Sequence, residues 1–238
     1  MVNVLDRTLV TAVNDFAGRW PVLDRLALVV AGNHLVKGGI VMAFVWWAWF
    51  CRGGRRQAIE RRKAVIATLA AAAAALLVSC VLQMLLPFRP RPIHDPTLAL
   101  HVPIGLPSDV MTNWSSFPSD HATLFFALAA GLFFVSRGLG IVAAVYVMLV
   151  IALPRVYVGW HYPSDIVGGA FIGGTLAMLA QHPRVRERLA PPVLSWARAK
   201  PQAFHAAFFL VSYQVATLME DARVLASVTL HLLRGDVA

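Results

Sequence analysis

Residues 139–180 read LGIVAAVYVMLVIALPRVYVGWHYPSDIVGGAFIGGTLAMLA. Within them, two apolar runs, Leu139–Val158 and Ile166–Ala180, are separated by a short link that carries a histidine, a serine and an aspartate. A helix that crosses a bilayer needs about 17–25 predominantly apolar residues. The stretch therefore predicts two membrane helices joined by a turn with polar, chemically reactive side chains.

The composition of the whole chain is that of a membrane protein. Hydrophobic residues make up 58% of the 238 residues and charged residues only 14%, whereas a soluble domain carries about 25% charged residues. The mean hydropathy is +0.66. We therefore predict a single membrane-integrated domain over residues 1–238, an all-α, polytopic bundle with five or six transmembrane helices. The other predicted spans are Leu35–Phe50, Ala64–Leu86 and His121–Val135, with a possible sixth at residues 203–219.

The N-terminal segment, residues 1–33, is predicted to lie at the membrane surface. Apolar side chains between Val2 and Trp20 follow the spacing of an amphipathic helix, which is typical of an interfacial segment. Pro21–Asn33 is open to two interpretations, an extension of the first span or a separate short helix. Lys37 makes a deep position for this region costly.

The positions of the basic residues predict how the chain is oriented in the membrane. The chain carries a net charge of +9, but its Lys and Arg lie mostly in short links between apolar runs, which favours contact with anionic headgroups over nucleic acid binding. Residues 182–238 begin with one basic cluster and are predicted to form cytoplasmic or interfacial helices, including a surface helix at Glu220–Arg234. A second cluster follows the first span, so both clusters are placed on the cytoplasmic face. The clusters are Arg52, Arg55, Arg56, Arg61, Arg62 and Lys63, and Arg184, Arg186, Arg188, Arg198 and Lys200.

The opposite, outer face holds three polar clusters at the ends of four predicted helices. The first is Arg-Pro-Arg-Pro at residues 89–92, and the second is Ser-Phe-Pro-Ser-Asp-His at residues 116–121. The third, residues 155–165, includes an arginine, a glycine, a histidine and two further polar residues. Ionisable side chains at membrane depth are costly and usually functional. Their meeting at one end of the bundle predicts an active site.

The side chains of these three clusters favour binding of an anion such as phosphate. Arginine forks match phosphate oxygens, and amides at a helix N-terminus, here those of Ser119, Asp120 and His121, also bind phosphate. Two histidines beside such a site indicate acid–base or nucleophilic catalysis. Asp165 lies four residues after His161 and is expected to accept a hydrogen bond from one ring nitrogen, which leaves the other as a nucleophile.

The order of the motifs resembles that of the type-2 phosphatidic acid phosphatase superfamily, the lipid phosphate phosphatases. Arg-Pro, then Pro-Ser-Asp-His, then Arg-x5-His-x3-Asp occur in this order within Leu82–Gly173. The resemblance implies a phosphohistidine on His161, held by Asp165, and a proton donor at His121 that later activates water. It implies no metal and no cofactor. The phosphate ligands that it implies are Arg91, Arg155 and Ser119.

Two departures from the family pattern bear on the site. The lysine that usually stands seven residues before the first-motif arginine is missing, because Met84 and Leu82 occupy the two possible positions. Arg89 is therefore predicted to supply the lost charge as a phosphate ligand. Asp120 replaces the usual glycine of the second motif. Asp120 and Gly159 complete the predicted phosphate-binding set, with Asp120 alternatively a charge at the helix N-terminus or a partner for an arginine.

These motif forms are similar to those of bacterial undecaprenyl-diphosphate phosphatases. The resemblance implies hydrolysis of undecaprenyl diphosphate to undecaprenyl phosphate at the outer, periplasmic face of a bacterial inner membrane. Phosphatidylglycerol phosphate, phosphatidate and a lipid A phosphate are alternative substrates, and transfer of the phosphate to a lipid acceptor is an alternative reaction. From a different class, a transporter or a non-catalytic lipid-binding protein stays open. The expected partners are a lipid phosphate and membrane lipids, without nucleic acid; the oligomeric state is open.

Overall fold

The computed structural model describes residues 3–51, 53–107, 112 and 114–220. In this part of the chain all regular structure is helical, which confirms the all-α class. Two π-helical turns, Leu35–Gly39 and Val147–Ala152, precede α3 and α7. The helices are α1 (Val4–Asn14), α2 (Pro21–Gly32), α3 (Ile40–Phe50), α4 (Arg55–Leu85), α5 (Asp120–Val135), α6 (Arg137–Tyr146), α7 (Leu153–Tyr157), α8 (Pro163–Gln181), α9 (Pro183–Ala199) and α10 (Pro201–Ala216).

Three of the described helices are long and apolar enough to cross a membrane: α4, the continuous unit at residues 137–157, and α8. α2 meets these requirements only together with Leu35–Phe50, from which it is bent by 64°. α5 is apolar but has only 16 residues. Within the described ranges, length and composition thus support three spans, or four with the bent pair, where five or six are predicted.

The C-terminal predictions are only partly covered by the described residues. α10 has 16 residues and contains most of the possible sixth span at residues 203–219; its crossing of the membrane stays a prediction. The predicted surface helix Glu220–Arg234 lies outside the described residues, apart from Glu220.

α5 is the helix around which α4, α6 and α8 pack. Small residues allow α8 to approach it backbone to backbone, as is common between membrane helices. A Cβ atom added at Gly173 would lie 2.1 Å from the Thr123 carbonyl oxygen, and one at Gly169 would lie 2.8 Å from that of Ser119. This contact brings the N-termini of α5 and α8 side by side at the polar end of the bundle.

α1 buries two polar side chains against the protein and exposes several apolar ones. Asp6, Val10 and Asn14 form its buried stripe at a spacing of four residues, which places them on one helix face. Val4 and Leu5, by contrast, are 81% and 67% exposed. The buried stripe brings the Asp6 carboxylate to the polar end of the bundle.

The chain bends by 64° between α2 and the first predicted span, Leu35–Phe50. The bend leaves carbonyl groups at the end of α2 without helical partners, and Nη2 of Arg155 donates to the Ala31 carbonyl at 3.1 Å. Of the two interpretations for Pro21–Asn33, the structure shows a separate helix. The placement of residues 1–33 at the membrane surface stays a prediction.

Candidate active site

His161 lies in the short turn between α7 and α8 and is 2% exposed. Its Nδ1 is 2.9 Å from the Ser116 carbonyl oxygen. Because a carbonyl can only accept, this contact places the ring proton on Nδ1 and the lone pair on Nε2. Nε2 is 3.3 Å from Nη1 of Arg91. His161 therefore presents a nucleophilic nitrogen beside a cation that can bind phosphate.

Asp165 lies farther from His161 than the four-residue spacing predicts. Its Oδ2 is 3.7 Å from His161 Nδ1, which is beyond a hydrogen bond, and accepts instead from the Tyr162 amide at 2.7 Å. Its Oδ1 accepts from Arg89 at 2.5 Å. The Ser116 carbonyl thus takes the contact expected of Asp165, because the carboxylate is occupied by the start of α8 and by an ion pair.

Arg89 is held between two carboxylates. Besides Asp165, it donates through Nη2 to Asp6 at 2.7 Å and through Nη1 to Ser164 Oγ at 2.9 Å. Its guanidinium carbon lies 4.1 Å from the ring centroid of Tyr162. This placement differs from the predicted phosphate ligand, because the charge-assisted contacts to aspartate already use both terminal nitrogens. Arg89 ties α1 to the turn between α7 and α8 that carries His161.

Asp6 is a site residue that the sequence motifs do not reveal. It is 1% exposed and also accepts from the Ser164 amide at 2.9 Å and hydroxyl at 2.5 Å. Burial by itself raises the pKa of Asp6, but hydrogen bonds from Ser164 and Arg89 outweigh burial and hold this pKa below its ordinary value. Asp6 is therefore an ionised anchor. The only signal in the sequence is its place on an amphipathic helix.

Gly159 joins the first and third motifs through its backbone. Its φ of +77° is in the region that favours glycine, and its carbonyl accepts from the Ile93 amide at 2.9 Å. A Cβ there would lie 3.1 Å from Ile93 Cβ. The Gly159 amide donates to Val156 at 3.1 Å. Gly159 therefore lets the loop of the first motif pack closely against the loop of the third motif. Its predicted contact with phosphate stays a prediction.

Arg91 and Arg155 are both buried, but their donors point to different partners. Nη1 of Arg91 donates to the Trp160 carbonyl at 2.9 Å. Both terminal nitrogens of Arg155 donate to backbone carbonyls, one of them to Ile151 at 2.7 Å. Because both terminal nitrogens of Arg155 already donate to the main chain, we expect Arg155 to contribute to phosphate binding through its positive charge and not through a forked hydrogen bond.

His121 lies in the first turn of α5 and is oriented by its neighbour Asp120. Nδ1 of the ring is 2.8 Å from Asp120 Oδ1, and the same oxygen accepts the His121 amide at 2.8 Å. This contact leaves Nε2 for a substrate. Asp120 thus contacts His121, and its part in phosphate binding stays a prediction.

Ser119 caps the N-terminus of α5. Its hydroxyl oxygen accepts from the Ala122 amide at 3.4 Å, and its own amide donates to the Asp165 carbonyl at 3.3 Å. A serine at this position satisfies an amide that the helix cannot. The hydroxyl proton is not used by the cap, so the role of Ser119 as a phosphate donor stays a prediction.

Four buried polar atoms of the motif loops and their flanking residues have no hydrogen-bond partner in the described part of the protein. Buried polar groups are almost always paired, so these four atoms are available to a polar ligand. Two of them belong to Ser116 and Trp160, which lie within the second and third polar clusters but are not among the predicted site residues. The four atoms are Arg91 Nε, Ser116 Oγ, His121 Nε2 and Trp160 Nε1.

No three His, Cys, Asp or Glu side chains among the described residues are grouped so that they could hold a metal ion. Metal-independent chemistry stays a prediction that a chelator can test.

The family model of the PAP2 superfamily matches residues 64–187, more than half of the 238 residues. The matched range contains all three motifs. The chain belongs to the PAP2 superfamily. Within this family, the site described above lies at the shared ends of α4, α5, α7 and α8, and Asp6 comes from outside the matched range.

Several curated proteins resemble this PAP2 chain. It is 34% identical over 91 residues to decaprenylphosphoryl-5-phosphoribose phosphatase of Mycobacterium tuberculosis, which covers 38% of this chain and 45% of that protein. It is 24% identical over 168 residues to undecaprenyl-diphosphatase BcrC of Bacillus subtilis, covering 71% and 78%. It is 41% identical over 69 residues to lipid A 1-phosphatase of Rhizobium etli, covering 28% of each. The match spans less than half of the mycobacterial protein. No solved structure matches the chain.

Proposed function

We propose that this PAP2 protein hydrolyses a lipid phosphate through a phosphohistidine on His161, without a metal ion. The observation that carries the proposal is the orientation of the His161 ring, whose Nδ1 contacts the Ser116 carbonyl at 2.9 Å and whose Nε2 lies 3.3 Å from Arg91 Nη1. With the ring proton on Nδ1, the lone pair of Nε2 lies beside a cation that can bind phosphate, which is the arrangement that a nitrogen nucleophile needs.

In the first step, Nε2 of His161 attacks the phosphorus, and the bond from phosphorus to the leaving group breaks. The electron pair of that bond stays on the departing oxygen, which receives a proton from Nε2 of His121. Asp120 supports the protonated ring through Nδ1, at 2.8 Å. Arg91 and the Ser119 hydroxyl bind the phosphate oxygens, where donors fixed in advance stabilise the charge of the transition state.

In the second step, a water molecule attacks the phosphohistidine. Nε2 of His121, now neutral, takes the proton of the water, and the P–N bond breaks with its electron pair returning to His161. Inorganic phosphate leaves. Both rings end in their starting protonation states, and one residue acts first as acid and then as base.

The substrate that we propose is undecaprenyl diphosphate, which yields undecaprenyl phosphate. The relative BcrC, with the broadest coverage of the three described above, is named an undecaprenyl-diphosphatase. The site also combines two buried cations, Arg91 and Arg155, and a diphosphate carries more negative charge than a monophosphate ester. Both observations favour a lipid diphosphate.

We also propose that the site faces the outside of a bacterial inner membrane. α4 begins with basic residues and ends next to Arg89, so its two ends separate the basic link from the site. Lys63 of α4 pairs with Glu187 of α9 at 2.8 Å, which places the basic start of α9 at the same end. Clusters of Lys and Arg favour the cytoplasmic side, and the histidines then lie on the outer side.

Phosphate release by the purified full-length protein, in detergent with EDTA, tests the proposal. Undecaprenyl diphosphate, phosphatidylglycerol phosphate and phosphatidate are compared, with the His161→Ala variant beside the wild type. We expect release that persists in EDTA, is fastest on the diphosphate and disappears in the variant. A faster glycerophospholipid would change the substrate but keep the chemistry. Release that needs a metal ion, or that survives His161→Ala, would contradict the mechanism.

A further inference from the structure

A cavity of about 290 Å³ lies at the end of the bundle that is remote from the histidines. Its walls come from the end of α3, the first two turns of α4, the last turns of α9 and the first half of α10. The other end of α4 is tied to the active-site loops, because Gln83 donates to the Pro118 carbonyl at 2.8 Å. Residues 62–83 of this helix span about 30 Å at 1.5 Å per residue. The cavity is therefore separate from the active site.

Four basic side chains line this cavity, and among the described residues no acidic side chain lines it. Arg55 and Arg198 are exposed, whereas Arg62 and His205 are half-buried. Neither the Arg55 nor the Arg198 side chain forms a hydrogen bond or an ion pair with a described residue. A concave surface lined by charges of one sign attracts the opposite charge. The cavity is thus suited to an anion.

The acidic residues of the two helices that supply the arginines pair with other basic residues. α4 and α9 contain one acidic residue each, Glu60 and Glu187. Lys63 lies 3.1 Å from Glu60 and 2.8 Å from Glu187, and Arg186 lies 3.0 Å from Glu60. Because these carboxylates are used outside the cavity, they leave the charge of its arginines without a partner on the same helices.

Arg62 is the basic residue whose position in the cavity is fixed. Its Nε donates to the Trp49 carbonyl at 3.4 Å, and its guanidinium carbon lies 5.3 Å from the centroid of the Trp49 ring, which is 3% exposed. Its two terminal nitrogens form no hydrogen bond with a described residue. An arginine held in this way can present these nitrogens to two oxygens of one phosphate.

The same cavity also has apolar walls, formed in part by Phe50, Ile59 and Leu194. Phe50 is 53% exposed and stacks on His205, with 5.7 Å between the ring centroids. Tryptophans, here Trp49 among them, are enriched where a membrane helix meets the lipid headgroups. A cavity at this level, with cations on one side and apolar side chains on the other, matches an anion that carries an apolar tail.

We propose that this cavity binds the headgroup phosphate of an anionic glycerophospholipid, such as phosphatidylglycerol, at a second lipid site. Arg62 binds the phosphate oxygens, Arg55 and Arg198 supply further positive charge, and the acyl chains leave along Phe50 into the bilayer. Basic pockets between membrane helices are a known form of headgroup site. The lipid is bound without a reaction, so the proposal stands apart from the function proposed for the histidines.

The melting temperature of the full-length protein in dodecyl maltoside tests the proposal. The additives are phosphatidylglycerol, phosphatidylcholine and glycerophosphoglycerol, the soluble headgroup without acyl chains. Wild type is compared with the cavity variant Arg55→Gln/Arg198→Gln. The matched control is Arg184→Gln/Arg188→Gln, which removes two exposed arginines of α9 that do not line the cavity.

A ligand that binds only the folded state raises its stability. At about tenfold above the dissociation constant, we expect phosphatidylglycerol to raise the melting temperature of wild type and of the control variant by about 3–6 °C. The cavity variant should rise by less than about 1 °C, and so should wild type with either of the other two additives. Without additive, the cavity variant should melt like wild type, because neither arginine has an ion pair to lose.

Native mass spectrometry of the same samples measures lipid retention independently of stability. Wild type and the control should retain a phosphatidylglycerol molecule that the cavity variant loses, even if the cavity variant proves less stable. An equal loss of lipid in both variants would overturn the proposal, because it would show attraction to the basic surface in general.

The additives give three further outcomes that contradict the proposal. An equal shift with phosphatidylcholine would show that the cavity does not select an anionic headgroup. An equal shift with glycerophosphoglycerol, lost in the cavity variant, would make the ligand a soluble phosphate ester instead of a lipid. No shift and no retained lipid in wild type would exclude the site.

Discussion

The two site histidines are held in different ways. His161 is oriented by a main-chain carbonyl, that of Ser116 at 2.9 Å, whereas His121 is oriented by the side chain of Asp120 at 2.8 Å. A carbonyl stays in place when its own side chain is replaced, but a carboxylate does not. The proposed nucleophile is therefore fixed by the path of two loops, and the proposed acid and base by one replaceable group.

Replacing each ring in turn should give the largest effects. We expect His161→Ala to lower kcat by about 10⁴-fold or more, as removal of a nucleophile does. His121→Ala should lower kcat by roughly 10²- to 10⁴-fold, the usual contribution of a general acid and base. Single-turnover assays on undecaprenyl diphosphate measure both. Similar residual activity in the two variants, with no difference in the step affected, would remove the distinction between their roles.

The next largest changes in kcat are expected from the residues that orient the two histidine rings, Asp120 and Ser116. Asp120→Asn should lower kcat by about 10- to 100-fold, part of the acid–base contribution, because an amide can orient His121 but cannot stabilise its charged form. Ser116→Ala leaves the carbonyl in place and loses only the hydroxyl, so a decrease below about tenfold is expected. Steady-state kinetics on both variants give the order. A larger loss in Ser116→Ala than in Asp120→Asn would contradict the account.

The ion pair between α1 and the nucleophile turn should show a smaller, coupled effect. Asp6→Asn and Arg89→Ala should each lower kcat, because each loosens the start of α8. The double variant should lose less transition-state stabilisation than the two single variants lose together. The expected difference, the coupling energy, is roughly 0.5–3 kcal/mol for residues in contact. A double-mutant cycle in kcat/KM measures the coupling. Additive losses, with the Arg89 effect confined to KM, would return Arg89 to the role of a phosphate ligand.

The smallest effect concerns stability at acid pH. The folded pKa of Asp6 is below its ordinary value, since hydrogen bonds from Ser164 and Arg89 outweigh burial. An aspartate whose pKa is lowered by folding stabilises the protein above its unfolded pKa, about 3.9, and loses this contribution as pH falls toward the folded pKa. We therefore expect the melting temperatures of wild type and Asp6→Asn to differ at pH 6 and to converge as pH falls below about 4. A constant difference across this range would exclude the linkage.

The sequence correctly groups those site residues that have a reactive side chain and stand at the end of an apolar run. His121, His161 and Asp165 follow or precede long apolar runs, so the positions of the helix ends bring them to one face of the bundle. Arg91 belongs to the same pattern, and the structure places its guanidinium beside His161 at 3.3 Å. These features depend on local periodicity and spacing, which a single sequence contains.

Other features depend on contacts that no local pattern encodes. The Ser116 carbonyl that holds His161 belongs to the main chain and has no signature among side chains. Asp6 meets Arg89 across 83 positions of sequence. In the folded chain Arg89 forms ion pairs with Asp6 and Asp165. The motif alone predicts an arginine that is available to bind phosphate.

The most direct test of the central claim is an alkaline quench of the enzyme with undecaprenyl diphosphate labelled in its terminal phosphate, in EDTA. The account predicts an acid-labile label on the wild-type protein and none on His161→Ala. Label that persists on His161→Ala, or complete turnover by wild type without any labelled protein at the shortest times, would contradict a phosphohistidine at His161.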